Sequence, residues 1–144
     1  MKYIGLVFMI AAFVILGILA WDLNEQVKTT PVVIANAPAS YEEAIEQARA
    51  ENKPVLLIFT ASWCGPCQQM KKSVYPSAPV QAVANRLIWL TVDVDLPANQ
   101  SLTQKHGISG IPALVIIDAN GRSKSKISGG RSPADLARWL ADNS

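Results

Sequence analysis

Histidine occurs once in this chain, at His106, and cysteine only twice, at Cys64 and Cys67. A histidine-rich metal site is therefore excluded, and a four-ligand zinc site would have to borrow carboxylates or a second chain. Charge is also sparse: 17% of the residues are charged, with Lys and Arg numbering 13 against 11 Asp and Glu. The cations are scattered and form no basic stripe, so nucleic acid is not an expected partner. There is no internal repeat and no low-complexity block. Neither a metal nor a dissociable cofactor is expected.

What the chain has in excess is apolar sequence, at half of its 144 residues. That length suits one domain with an appendage. The appendage is the run from Tyr3 to Trp21, 19 residues without a charge. As a helix it spans roughly 28 Å, close to the hydrocarbon thickness of a bilayer, and Tyr3 and Trp21 stand at the ends, where amphipathic rings favour the interface. It reads as a transmembrane anchor over residues 1–21. A signal peptide is the alternative, with Lys2 as its n-region, but the run exceeds a usual h-region and Ile18 spoils a cleavage after Ala20. Lys2 precedes the run and Asp22 and Glu25 follow it, which places the body outside the cytoplasm. Residues 22–39, with Pro31 and Pro38, read as a linker, in which Val32-Val33-Ile34 could form a short edge strand. Residues 40–144 read as the folded domain.

Within that domain, Ser40 and Glu43 form a capping box for a helix up to Asn52, with Tyr41, Ala44, Ile45 and Ala48 on one apolar face. Val55 to Thr60 is a continuous apolar run, as in a central strand covered on both faces. A helix then runs to about Val74; Pro76 and Pro79 interrupt it before a further turn over Val80–Asn85. Leu87–Val94 is strand-like, and Asn99–His106 reads as a helix with Gly107 beyond its end. Ala113–Ile117 and Ser123–Ile127 pair through an Asn120-Gly121 turn, and Ser132-Pro133 opens a last helix with Leu136, Trp139 and Leu140 inward. The class is α/β, a central mixed sheet with helices on both faces. Trp89 and Trp139 read as core aromatics, and His106 as a solvated residue at a helix end.

The two cysteines sit in Trp63-Cys64-Gly65-Pro66-Cys67, between the apolar strand and a helix. In that setting C-x-x-C reads as a redox motif. The thiolate is the nucleophile of thiol–disulfide exchange. Cys64 stands at the helix N-terminus, where free N–H groups and the dipole favour the anion, so it is the expected nucleophile. Cys67, one turn on and expected to be more buried, would resolve the mixed disulfide. A purely structural disulfide is the alternative, though so short a loop restricts the unfolded chain little.

With Gly110-Ile111-Pro112 before a strand and Gly129-Gly130 before the last helix, the body resembles the thioredoxin superfamily over about 105 residues. Tyr41–Asn85, with Lys53-Pro54-Val55 ahead of the strand, resembles the C-terminal thioredoxin domain of membrane-embedded periplasmic thiol–disulfide reductases. The resemblance implies a thioredoxin fold, a cis peptide before Pro112, and a substrate strand pairing with the Ile111 backbone beside Trp63, Gly65 and Pro66. It implies a protein-disulfide reductase, tethered to the inner membrane with its domain in the periplasm. The implied partners are dithiol or disulfide proteins and a membrane-embedded electron donor, with the chain a monomer. An oxidase or isomerase, and a binding module with little turnover, are the rival readings. One departure stands out. Thioredoxins carry a buried Asp in the strand, six residues before the first cysteine, and a Lys on the neighbouring strand; the matching positions here are Ile58 and Thr91.

Overall fold

The computed structural model describes residues 37–144, together with Val14 alone from the preceding segment. The expected anchor at Tyr3–Trp21 and the candidate strand at Val32–Ile34 lie outside the described residues. Among the described residues no helix is long and apolar enough to cross a membrane.

Helix α1 spans Tyr41–Glu51. Ser40 caps it, its Oγ accepting from the Glu43 N–H at 3.1 Å. Glu43 answers by accepting from the N–H of Ala39 at 2.7 Å, one residue earlier than the capping box anticipates. Asn52 ends the helix in the left-handed region, φ 52°, which Asn tolerates better than most residues. Strand β1 follows at Val55–Thr60, as the apolar run predicts.

Helix α2, Gly65–Gln69, passes without a break into a π turn over Met70–Val74. Helix α3 covers Ala78–Ala84. It starts earlier than expected because Pro79 sits in the first turn, where a missing N–H costs nothing. Strand β2 is Ile88–Asp93. A 3₁₀ turn at Pro97–Asn99 leads into helix α4, Gln100–Lys105, and Gly107 follows with φ +58°. Strands β3, Ala113–Ile117, and β4, Ser123–Ser128, precede helix α5, Pro133–Asn143. The β3–β4 connection is a five-residue loop, not a two-residue turn on Asn120-Gly121. Asp118 Oδ1 organises it by accepting the N–H groups of Asn120 and Arg122 at 2.8 and 3.0 Å.

The four strands lie in the order β2-β1-β3-β4. β1 runs parallel to β2 and antiparallel to β3, and β3 antiparallel to β4. Each face of the sheet carries its own core. On one face Val55, Leu57, Phe59, Val115 and Ile117 meet Ala44, Ile45 and Ala48 of α1 and Leu102 of α4. On the other, Leu56, Ile58, Trp89, Leu114 and Ile116 meet Met70, Val74, Val80, Ala84, Leu136 and Leu140. β1 and β3 are buried on both sides, which explains their unbroken apolar sequences. β4 alternates toward solvent and carries Lys124 and Lys126, as suits an edge.

The indoles divide. Trp89 is buried, donates to the Ala84 carbonyl at 2.9 Å and meets the Tyr75 ring edge-on at 5.8 Å. Trp139 is half-buried and donates to Ser125 Oγ at 3.0 Å. His106 is not solvated. It is buried at 6% exposure, with its ring 6.2 Å from that of Phe59. Its position in sequence suggests an exposed helix end, but the turn at Gly107 folds it under β4. There Nδ1 meets Ser123 Oγ at 2.9 Å, and Nε2 has no partner.

Candidate active site

β1 ends at Thr60, and α2 begins five residues later. Parallel and antiparallel neighbours hold the strand, so the turn between is delivered to the end of the sheet at a fixed place. Cys64 is the residue that caps α2, with φ −80° and ψ 99°. Cys64 and Cys67 are joined as a disulfide, their Cα atoms 5.3 Å apart. The Cys67 N–H points at Cys64 Sγ at 3.3 Å. An N–H aimed at a sulfur from a helix end is the kind of donor that favours a thiolate over a thiol. Pro66, in the first turn of α2, withholds no hydrogen bond the helix needs.

Burial does not separate the two cysteines: Cys64 is 4% exposed and Cys67 is 3%. Their surroundings do. Cys64 is flanked by exposed Trp63, Gly65 and Pro66. Cys67 instead lines a cavity of about 600 Å³ between the helix and the sheet. Ala61, Cys64 and Cys67 form a small apolar cluster against which Val94 and Ile111 pack, so the loop before β3 is drawn to the disulfide.

The Ile111–Pro112 peptide is cis, as the resemblance implies. Pro112 is buried and its carbonyl accepts from the Gly129 N–H at 2.8 Å. That bond ties together two of the glycine-bearing loops singled out in the sequence. Among the described residues the Ile111 N–H meets no acceptor, which leaves a backbone donor next to the disulfide. The structure thus brings Trp63, Cys64, Gly65, Pro66, Cys67, Ile111 and Pro112 into one region, exposed at Trp63, Gly65 and Pro66 and buried at Cys64, Cys67 and Pro112.

Three residues join this region unannounced by any local pattern. Asp95, from the loop after β2, accepts from Trp63 Nε1 at 2.8 Å. Lys71 and Asp93 line the cavity beside Cys67. Asp95 and Asp93 arrive through the parallel pairing of β1 with β2, a long-range feature, and Lys71 through one turn of helix after Cys67. Ile58 and Thr91 stand opposite each other in that pairing and line the same cavity. The wall below Cys67 therefore presents an alkyl group and a hydroxyl where an ionising pair was the family expectation. Tyr75 also lines the cavity, and burial pushes its hydroxyl well above the usual phenol range. Among the described residues no group of three or more His, Cys, Asp or Glu side chains is placed to hold a metal ion.

The profile of a family described as thioredoxin-like matches residues 36–119. The chain is 32% identical over 127 residues to the disulfide bond reductase DsbH of Chlamydia pneumoniae, a match over 79% of this chain and 75% of that protein. It is 29% identical over 91 residues to the thiol:disulfide interchange protein DsbD of Colwellia psychrerythraea, over 61% of this chain and only 15% of that longer protein. The oxidised C-terminal domain of Neisseria meningitidis DsbD superposes with a TM-score of 0.65 at 25% identity, over 75% of this chain and 97% of that domain.

Proposed function

The chain belongs to the thioredoxin-like family, and we propose that it is a thiol–disulfide oxidoreductase working in the reducing direction on disulfides of exported proteins. The observation that carries this reading is the placement of its only two cysteines, joined at the start of α2 beside the cis Ile111–Pro112 loop. A pair buried for stability alone has no need of an exposed indole on one side and, on the other, a backbone donor with no acceptor among the described residues.

The cycle runs as follows. The Cys64 thiolate attacks one sulfur of a substrate disulfide, whose S–S bond breaks. The departing sulfur leaves as a thiolate and takes a proton from solvent. Cys67 then gives up its proton and attacks Cys64, forming the intramolecular disulfide and releasing the second substrate thiol. Two electrons have moved from the chain to the substrate. In the approach, the substrate lies extended along Ile111, Pro112 fixes that loop against the cysteines, and Trp63, Gly65 and Pro66 border the reacting sulfurs. Gly65-Pro66 between the cysteines resembles the reducing members of the superfamily.

To cycle, the oxidised pair needs a dithiol donor. With residues 1–21 as an inner-membrane anchor, residues 22–39 as tether and residues 40–144 in the periplasm, that donor is a membrane-embedded electron carrier. The name of one relative, a disulfide bond reductase, favours this direction. The test is catalysis by the full chain of insulin reduction by dithiothreitol. Turnover that disappears in Cys64→Ala is the expected result. Turnover no faster than dithiothreitol alone would leave a binding module or a structural disulfide.

A further inference from the structure

We propose that Lys71 sets the ionisation of Cys67, so that a cation in the cavity wall promotes the resolving step in place of a buried base. The proposal rests on the reading of Cys64 and Cys67 as an exchanging pair.

The need for such a group follows from burial. Cys67 is 3% exposed, and removing a thiol from water disfavours its thiolate. Resolution of the mixed disulfide requires that thiolate. Ile58 and Thr91, the paired sheet positions in the cavity wall, carry no titrating group. Lys71 does offer help. It follows Cys67 by four residues in the continuous helical segment Gly65–Val74, a spacing that makes side chains neighbours on one face. It lines the same cavity as Cys67, and it enters no ion pair among the described residues. Its side chain is exposed, so the ammonium stays hydrated while its field reaches across a cleft walled by apolar groups.

Among the described residues, two other ionisable groups face this cavity. Tyr75, just past the π turn, stays neutral because burial disfavours its phenolate. Asp93, at the end of β2, is the only acidic side chain among the described residues that line it; its Oδ1 already accepts from the Asp95 N–H at 3.0 Å. Asp93 opposes the thiolate and Lys71 favours it. The chemistry balances without a dedicated base. Cys67 loses its proton to water in the cavity, its thiolate attacks Cys64 Sγ, the Cys64–substrate bond breaks, and the substrate thiolate is protonated from solvent.

During resolution Cys64 is bound in a mixed disulfide and uncharged. The full chain carrying Cys64→Ala therefore presents Cys67, the sole thiol, in the relevant field. Its thiolate can be followed by absorbance near 240 nm against pH. Adding Lys71→Met should raise the midpoint by roughly half a unit or more, and Lys71→Arg should restore it. Adding Asp93→Asn should lower it. In the chain with both cysteines, Lys71→Met should prolong the life of the mixed disulfide at neutral pH and lose that effect at alkaline pH. An unmoved midpoint in Lys71→Met would overturn the proposal. So would a slower resolution in Asp93→Asn, which would make Asp93 the base. Failure of the unaltered chain to turn over would defeat the underlying reading instead, and the titration stands apart from it.

Discussion

Trp63 Nε1 donates to Asp95 Oδ2 at 2.8 Å, across 32 residues of sequence. The bond fastens the residue before Cys64 to the loop after β2, and it holds an indole that is 69% exposed. Leu96, next to Asp95, is 52% exposed. A large exposed apolar surface beside the disulfide suits the docking of polypeptide. Asp95→Ala should leave the unfolding free energy within about 1 kcal/mol of the parent, because the bond is at the surface. It should raise KM for a protein disulfide by roughly two- to five-fold, the equivalent of 0.5–1 kcal/mol. Steady-state kinetics beside urea unfolding checks both halves.

The division of labour between the cysteines gives a second outcome. Cys67→Ala should accumulate disulfide-linked adducts with substrate that reducing agent dissolves, because nothing remains to attack Cys64. Cys64→Ala should accumulate far fewer. Non-reducing gel electrophoresis after acid quenching reads the result. Equal trapping by both variants would contradict the assignment of Cys64 as nucleophile.

His106 makes stability depend on pH. Burial holds its pKa below the usual imidazole value, with the charges of Lys105 and Lys126 adding to the effect. The unfolded chain then binds the proton more readily, so stability is full above about pH 6.5 and is lost as pH falls toward the lowered folded value. His106→Gln should flatten that slope. Urea unfolding at about pH 7.5 and 5.5, the latter above most carboxylate titrations, should show a smaller difference in the variant than in the parent.

Gly121 adopts φ +75°, and a Cβ built there would meet the Tyr41 hydroxyl. Gly121→Ala combines backbone strain with that collision and should cost about 1–3 kcal/mol by denaturant unfolding. The dithiol chemistry, at the other end of β3, should be unchanged.

Elements whose signal is local were legible in the sequence. Ser40 and Ser132 announced their helices, and the unbroken apolar run Val55–Phe59 announced a strand covered on both faces. The cysteines, Trp63, Ile111 and Pro112 were legible as a group because three separated motifs agree. What was not legible depends on tertiary contact. His106 looks solvated by its place near a helix end, and only the packing of β4 buries it. Asp95, Lys71 and Asp93 carry no motif; parallel pairing of β1 with β2 and one helical turn bring them to the site. The greater burial expected of Cys67 over Cys64 is absent, because in the disulfide both sulfurs share one apolar cluster.

The most direct test of the central claim is the reduction potential of the Cys64–Cys67 pair in the full chain, equilibrated in dithiothreitol redox buffers. A reductase fed by a membrane donor should lie near the thioredoxin end, at about −270 mV. A value near about −120 mV, at the strongly oxidising end, would contradict it and make the chain a disulfide donor.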